Sequence, residues 1–511
     1  VAISNILTSI GESSFEGCSS ISQISLPSQL ITIGNNAFKG CSSLTTISIS
    51  KSTTSIGVSC FENCVSLQSV FIDNSNIIIN DYVFKGCSKL EKVKLEYSII
   101  SIGNGVFENC KSLTSIDLPN SVTSIGNSIF KSCENLQKIT LSNQIKTIPK
   151  NSFEKCSKLE SIIIPNSVIT IEDDAFIESG LINIVLPNSI TSLGQSSFKS
   201  CSKLSSVTLS NKLTKLENNT FEGCSKLETI DIPSSIEIIE DFVFMNSGLK
   251  SITIPNTVNQ IGEGVFKSCT NLNTVQLSTQ ITTIPKSIFE GCSSLISFEI
   301  PNHIQTISDN AFKSTGLTQI IIPNTVKSIR TDSFSQCSNL KVVKYNGNSN
   351  LFNGNSFKNI LSEVAYVPMN YNEQIFCGLG VSKVYFCGET CFAQFIESSN
   401  TLKIFGSGEM NNFNEGRMPW IEYKDNIKNI EISEGIETIG SYAFDGISKL
   451  REITLYSNIS SIGRNSFGSM NLLNTFVYLG TTTPTCNEVI FTGSSLLNKV
   501  YSNSSYEITT F

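Results

Sequence analysis

Apolar residues recur along this chain at fixed offsets, neither in the stripe of an amphipathic helix nor in the simple alternation of long strands. A phenylalanine stands at 15, 38, 61, 84, 107, 130, 153, 176, 198, 221, 244, 266, 289, 312 and 334, a spacing of 23 with three intervals of 22. The surrounding pattern reads Ile-Gly-x-x-small-Phe-x-x-Cys-x-x-Leu-x-x-Ile-x-Leu-Pro-x-x-Val-x-x-Ile-Gly. One clean copy is Ile102, Gly103, Phe107, Cys110, Leu113, Ile116, Leu118, Pro119, Val122, Ile125 and Gly126. Periods of this length mark solenoids and related arrays. Within a period, the alternation at Ile116-x-Leu118 predicts a short strand with Ser115 and Asp117 facing outward. Pro119 ends that strand because it cannot donate to a ladder. A second extended piece is expected at Val122 to Ile125, turned by Gly126. Phe130 and Cys133 are then expected to point inward from a short helical or 3₁₀ segment. One coil cannot bury its own apolar face, so neighbours stack into a continuous core and a parallel sheet. At about 4.8 Å per strand, the fifteen coils marked by these phenylalanines make a body roughly 70 Å long.

A longer period overlies the short one. The 22-residue intervals follow Phe176, Phe244 and Phe312, where Cys-x-x-Leu shrinks to Ser179-Gly180-Leu181, Ser247-Gly248-Leu249 and Thr315-Gly316-Leu317. These anchors lie 68 residues apart, and the segment beginning at Leu141 is nearly repeated from Leu277. A duplicated three-coil unit follows. It would repeat similar surfaces about 14 Å apart and suit multivalent binding, unless duplication merely lengthened the array.

The repeat decays after Phe334 into a turn-rich stretch, Asn346 to Gly354. Residues from Val364 to Phe376 read as a cap over the last coil, and Val500 to Phe511 as a weaker one. Residues 377–430 do not repeat, and the pattern resumes at Ile432, Phe444 and Phe467. The expected organisation is a solenoid with a C-terminal cap over 1–376, a non-repeat β-rich insert over 377–430, and a short second repeat block with cap over 431–511. The first coil lacks an upstream cover, so further chain is expected before Val1.

Composition narrows the function. Lys+Arg 36 against Asp+Glu 43 gives a net charge of −7, which argues against wrapping nucleic acid. No apolar run approaches the roughly 18 residues of a membrane-spanning helix. His303 is the only histidine and sits at a turn, so a multi-His metal site is excluded and no catalytic partner is evident. Glu172-Asp173-Asp174 aligns with ordinary polar coil positions, and Gly406-Ser407-Gly408 lacks the context of a phosphate loop. No metal, no cofactor and no catalytic residue is expected. Asn218, Asn458 and Asn503 begin glycosylation sequons.

Of 17 cysteines, twelve occupy the third position after a ladder phenylalanine, from Cys18 to Cys337. Cysteine packs as a small buried residue, and parallel Cβ vectors on stacked coils do not suit a disulfide. Cys60 fills the small-residue slot before Phe61, and Cys377, Cys387, Cys391 and Cys486 fall outside the repeat. These last four are candidates for one disulfide, placed within 377–391, with its connectivity open. Cys387-x-x-x-Cys391 has no second pair or nearby histidine, which argues against zinc.

The coil Ser124-Ile125-Gly126…Phe130…Cys133…Leu136…Ile139…Leu141 and its copies resemble the BspA-type leucine-rich repeats of bacterial and protist surface proteins. The resemblance covers about four fifths of the chain. Asn400 to Met410 with Pro419-Trp420 resembles a module that often precedes such coils. The implied fold is a leucine-rich-repeat solenoid of 23-residue coils with a parallel β-sheet on its concave face. The cysteine precedes the strand, unlike ordinary leucine-rich repeats, so their ligand modes do not carry over. The resemblance implies cell-surface adhesion, with matrix proteins such as fibronectin or fibrinogen among the partners of some members.

The outward strand position is the place for a ligand, since concave solenoid faces are extended binding surfaces. It reads Ser25, Ser48, Phe71, Lys94, Asp117, Thr140, Ile163, Val185, Thr208, Asp231, Thr253, Gln276, Glu299, Ile321 and Lys344. Phe71, Lys94, Asp117, Ile163, Val185, Asp231, Glu299 and Ile321 are the candidate ligand-binding residues. Phe71, Ile163, Val185 and Ile321 are apolar where the coil does not demand it, and Ile163 and Val185 should touch. Strand preference for β-branched residues is the competing explanation. The expected function is non-catalytic binding of host or matrix proteins by a secreted or surface-displayed chain. An intracellular scaffold is the alternative, which unpaired thiols would suit. An enzyme site in 377–430 is the remote one, since that stretch holds no histidine.

Overall fold

The structure is a computed structural model that describes residues 3–72, 77–95, 99–348, 355–456, 458–486, 489–497 and 499–502. The chain folds as a parallel β-solenoid of about 21 turns with nearly no helix. It divides into two compact units. One comprises Val1–Thr318, Val326–Asn339 and Asn353–Ile360, and the other Gln319–Thr325, Leu340–Phe352 and Leu361–Phe511. The closing segment around Tyr506 and Phe511, and the sequon at Asn503, lie outside the described residues.

In the first unit the phenylalanines form one column. Each ring from Phe15 to Phe357 packs on the next with centroids 4.9 to 5.9 Å apart. The stacking is near-parallel except at Phe289 and Phe312, where Phe298 wedges against both rings and tilts them. Burial of each ring contributes roughly 1.5–3 kcal/mol, and an aromatic pair adds about 0.5–1.5 kcal/mol.

The segment carrying each phenylalanine is a run of turns, not the expected helix. Residues two before and two after the ring hold left-handed φ, as at Asn36 and Gly40 (55° and 72°) or Ser128 and Ser132 (57° and 60°). Two such residues four positions apart break any right-handed helix. Backbone bonds run to the next coil instead, for example Phe107 N–H to the Ile129 carbonyl at 3.0 Å. Among the described residues, helix is confined to the 3₁₀ turn Ile421–Tyr423.

Two strand rows flank the column. Two-residue strands such as Thr32–Ile33, Ser55–Ile56 and Ser124–Ile125 pair in parallel, with isoleucine over isoleucine. Gly126 follows because a Cβ there would meet the Asn104 nitrogen at 2.4 Å. Longer strands such as Thr46–Ile49, Ser69–Ile72 and Lys92–Leu95 form the second row, also parallel and in register.

The cysteine column stands beside the rings. From Cys41 onward, each column thiol donates to the phenylalanine carbonyl of the preceding coil, as Cys64 to Phe38 at 3.2 Å and Cys133 to Phe107 at 3.1 Å. In the short coils a hydroxyl replaces the thiol and meets the next cysteine at 3.2 Å, for Ser179, Ser247 and Thr315 alike. The lost residue forces close approach: a Cβ on Gly180 would lie 2.1 Å from the Ser157 carbonyl oxygen. Long-strand pairing lapses at 161–164, 229–232 and 297–300, each just before a short coil. The three-coil period is therefore visible in the backbone pairing.

In the second unit one sheet runs through Gln319–Ile322, Val342–Tyr345, Val364–Pro368, Leu379–Phe386, Cys391–Ile396, Thr401–Gly406, Asn429–Ile432, Glu452–Leu455, Thr475–Tyr478 and Lys499–Ser502. Val364–Pro368 is an internal strand of that sheet, and Tyr371 and Phe376 pack on Tyr345. Leu379–Phe386, Cys391–Ile396 and Thr401–Gly406 are antiparallel, and parallel pairing resumes at Asn429. Trp420 begins a second aromatic column, 5.8 Å from Phe444, which stacks on Phe467 at 5.6 Å. Its indole N–H donates to the Ala443 carbonyl at 3.1 Å.

Candidate ligand-binding face

The long strands alternate buried and exposed residues, so each coil offers one side chain at the position after its central apolar residue. Register places Ser48, Phe71 and Lys94 side by side, then Asp117 beside Thr140, Val185 beside Thr208, Thr253 beside Gln276, and Ile321 beside Lys344. Ile163 is 86% exposed, Val185 62% and Phe71 46%. Ile321 is half-buried. Ile163 and Val185 sit on successive coils, but 161–164 pairs with neither neighbour while Val185 belongs to the Asn183–Val185 strand. Asp231 and Glu299 occupy the equivalent unpaired segments and are exposed.

Two shallow grooves cross this face. One of about 680 Å³ has Phe71, Lys92, Lys94, Ser115, Gln137 and Lys158 in its lining. The other, about 390 Å³, includes Asp231, Thr253 and Gln276. The first joins an exposed aromatic ring to several ammonium groups and can hold an apolar side chain flanked by acceptors. Lys92 and Lys158 are absent from the outward row that the sequence singles out. Their nearness to Phe71 arises from folding between coils.

A column of ion pairs lies one residue after the rings, where Lys39–Glu62, Lys85–Glu108, Lys131–Glu154, Lys199–Glu222 and Lys267–Glu290 meet at 2.8 to 3.0 Å. Such surface pairs contribute only about 0–1 kcal/mol each. Alternating sign avoids like charges on adjacent coils. The sequon residues Asn218 and Asn458 also bond between coils, accepting from the backbone N–H groups of Asp241 and Thr481.

Burial raises the column thiols, to about 11 for Cys41 and about 12 for Cys64. Cys387 is disulfide-bonded to Cys391 across Gly388-Glu389-Thr390, with Cα atoms 5.2 Å apart. Cys377 is buried outside that bridge, and Cys486 is exposed. Among the described residues no three His, Cys, Asp or Glu side chains are grouped to hold a metal ion. His303 is half-buried in its turn, and its Nε2 has no hydrogen-bond partner. Every carboxylate-bearing residue of 377–430 is exposed.

The outward row changes character at Lys344, which is only 5% exposed. Its Nζ donates to the carbonyl oxygens of Gly388 at 2.9 Å and Glu389 at 2.8 Å. The ammonium also lies 4.4 Å from the Phe386 ring centroid and 5.9 Å from that of Phe392. Burial pushes this ammonium down to about 8, opposed by the Glu389 carboxylate. Tyr366, the neighbour of Lys344 in the ladder, stacks on Phe392 at 4.3 Å. Nothing in the local pattern around Lys344 signals this cover, which comes from the non-repeat segment.

The family model described as BspA type leucine rich repeat region (6 copies) matches residues 1–95, 77–205, 170–292, 261–376 and 422–511. The chain belongs to this BspA-type leucine-rich-repeat family. A leucine-rich repeat protein of Bacteroides ovatus is similar at 26% identity over 70% of this chain and 88% of its own, with a TM-score of 0.48. A leucine rich cell surface protein of Faecalibacterium prausnitzii is similar at 27% identity over 68% of this chain and 90% of its own, with a TM-score of 0.41. No curated protein matches the chain. Leucine-rich-repeat solenoids are generally non-catalytic and generally bind proteins. Among the described residues no helix is long and apolar enough to cross a membrane.

Proposed function

We propose that this chain is a non-catalytic adhesion protein that binds host or matrix proteins through its long-strand face while displayed at a cell surface. The observation that carries this reading is the baring of Ile163, Val185 and Phe71 on a face whose other exposed outward residues carry hydroxyl, amide or charged groups. An apolar side chain that its own coil does not need in the core is available to a partner. The groove around Phe71, with Lys92, Lys94 and Lys158, is the point where an acidic or carbonyl-rich partner segment would anchor.

Surface display is supported by the family and by the disulfide at Cys387–Cys391, a bond favoured in oxidising compartments. The many thiols do not weigh against it. Those of Cys41 and Cys64 sit far above the pKa at which a thiolate forms readily, and they are buried, so an oxidising environment leaves them reduced. Buried, reduced column thiols are therefore as compatible with surface display as with an intracellular scaffold.

The test is binding of the full chain to immobilised fibronectin and fibrinogen, with the triple variant F71S/I163S/V185S beside it. At least tenfold weaker binding at an unchanged melting temperature is expected. Equal binding by the variant overturns the site assignment, and failure of the parent chain to bind either protein overturns the matrix reading.

A further inference from the structure

Lys344 occupies a position that is exposed on most other coils, yet it is buried, and both acceptors and both aromatic rings that meet its ammonium come from one hairpin. The two acceptors are consecutive carbonyls, Gly388 and Glu389, at the tip closed by Cys387 and Cys391. The two aromatic faces, Phe386 and Phe392, flank that same tip. The base of the tip is tied elsewhere. Asn411 N–H donates to the Cys387 carbonyl at 2.6 Å, and Ser407 N–H to the Thr390 carbonyl at 3.0 Å. Gly388 and Glu389 lie between those ties, and their carbonyls are aimed by the closed five-residue ring.

A buried ammonium is tolerated only while its protons are taken up by acceptors. Both acceptors here share one short loop, so a change of that loop removes both bonds together. The side chain would then carry an uncompensated charge and return to water. This makes the contact two-state: tip seated and Lys344 covered, or tip lifted and Lys344 exposed beside Tyr366.

We propose that the Cys387–Cys391 hairpin is a thiol-sensitive cover seated on the long-strand face, with Lys344 as its docking peg. A dithiol reductant supplies two electrons and two protons, the S–S bond becomes two thiols, and the reductant leaves as its own cyclic disulfide. The opened tip no longer holds both carbonyls toward Nζ, and Lys344 joins the exposed row as an ammonium beside an aromatic ring. This role rests on the reading of the long-strand face as the binding surface. Its test needs no partner, so the two can fail separately.

The experiment uses the full chain, oxidised and after treatment with dithiothreitol, acetylated briefly with an N-hydroxysuccinimide ester and analysed by peptide mass spectrometry. Lys344 is expected to be protected in the oxidised chain and to label at least tenfold faster after reduction, while Lys39 and Lys131 label equally in both. Protection of Lys344 that survives reduction overturns the cover. So does a general rise in labelling of every lysine, which would make the disulfide a support for folding only. The variant K344M gives an independent reading in the oxidised state. Hydrogen exchange across 386–392 should rise at least tenfold without the peg while the strand Asn429–Ile432 stays protected. An unchanged exchange rate there refutes the docking role of Lys344.

Discussion

At the scale of single residues, stability resides in the columns. Phe130 is fully buried between Phe107 and Phe153, so Phe130→Ala removes two ring contacts and leaves a cavity closed above and below. A loss of about 3–5 kcal/mol is expected, measured by urea denaturation. Cys133→Ala removes the thiol donor from the Phe107 carbonyl, which keeps the Cys110 N–H, and should cost about 0.5–1.5 kcal/mol by the same measurement. Thiol reactivity separates the cysteine classes. With iodoacetamide at neutral pH, exposed Cys486 is expected to react fast, half-buried Cys18 next, and the fully buried column only after denaturation. Fast loss of Cys64 in the native chain would contradict its burial. Lys344 adds a pH dependence. Its folded pKa is lowered to about 8 from an ordinary 10.5, so between these values the unfolded chain holds the extra proton. Stability should therefore rise with pH across that window relative to K344M, read as the difference between their denaturation midpoints.

At the scale of elements, much was legible because each coil repeats one solution. The ring column, both strand rows and the short coils follow from spacings that the apolar residues impose. The turn around each phenylalanine was not legible as a turn. Its left-handed positions are held by Ser, Asn and Gly in many coils but by Lys155, Glu178, Tyr82 and Phe242 in others. No composition rule covers that set. The lapses in pairing at 161–164, 229–232 and 297–300 were also hidden, since those segments read as good strands. Trp420 stands 24 residues before Phe444, close to one coil length, and that interval is the signal that could have placed it in the second column. The short coils carry a direct test. Gly180→Ala would drive a Cβ to 2.1 Å from a backbone oxygen and should lower stability by about 1–3 kcal/mol, whereas Gly380→Ala, whose Cβ meets nothing nearer than 3.9 Å, should be neutral. Thermal melting of the two variants side by side checks this. Equal melting points would mean that the short coil relaxes without cost.

At the scale of the molecule, a stack of coils solves burial once per repeat and leaves one outward side chain per strand free to vary. Most of those positions carry small polar groups, and a few carry large apolar ones that folding does not use. The candidate face could be read from the sequence down to single residues because the strand period fixes which side chains point out. What sequence alone missed was long-range: Lys92 and Lys158 beside Phe71, and the hairpin over Lys344, each brought together by folding between segments far apart in the chain. Large apolar residues are also exposed along or beside the two-residue strands, Ile78 and Ile100 among them, each 52% exposed. They make that second face the natural rival. Hydroxyl-radical footprinting of the full chain, free and bound to fibronectin or fibrinogen, decides between the faces. Protection is expected at Phe71, Ile163 and Val185 with Ile78 and Ile100 unchanged. Protection at Ile78 and Ile100 with the long-strand residues as reactive as before would contradict it.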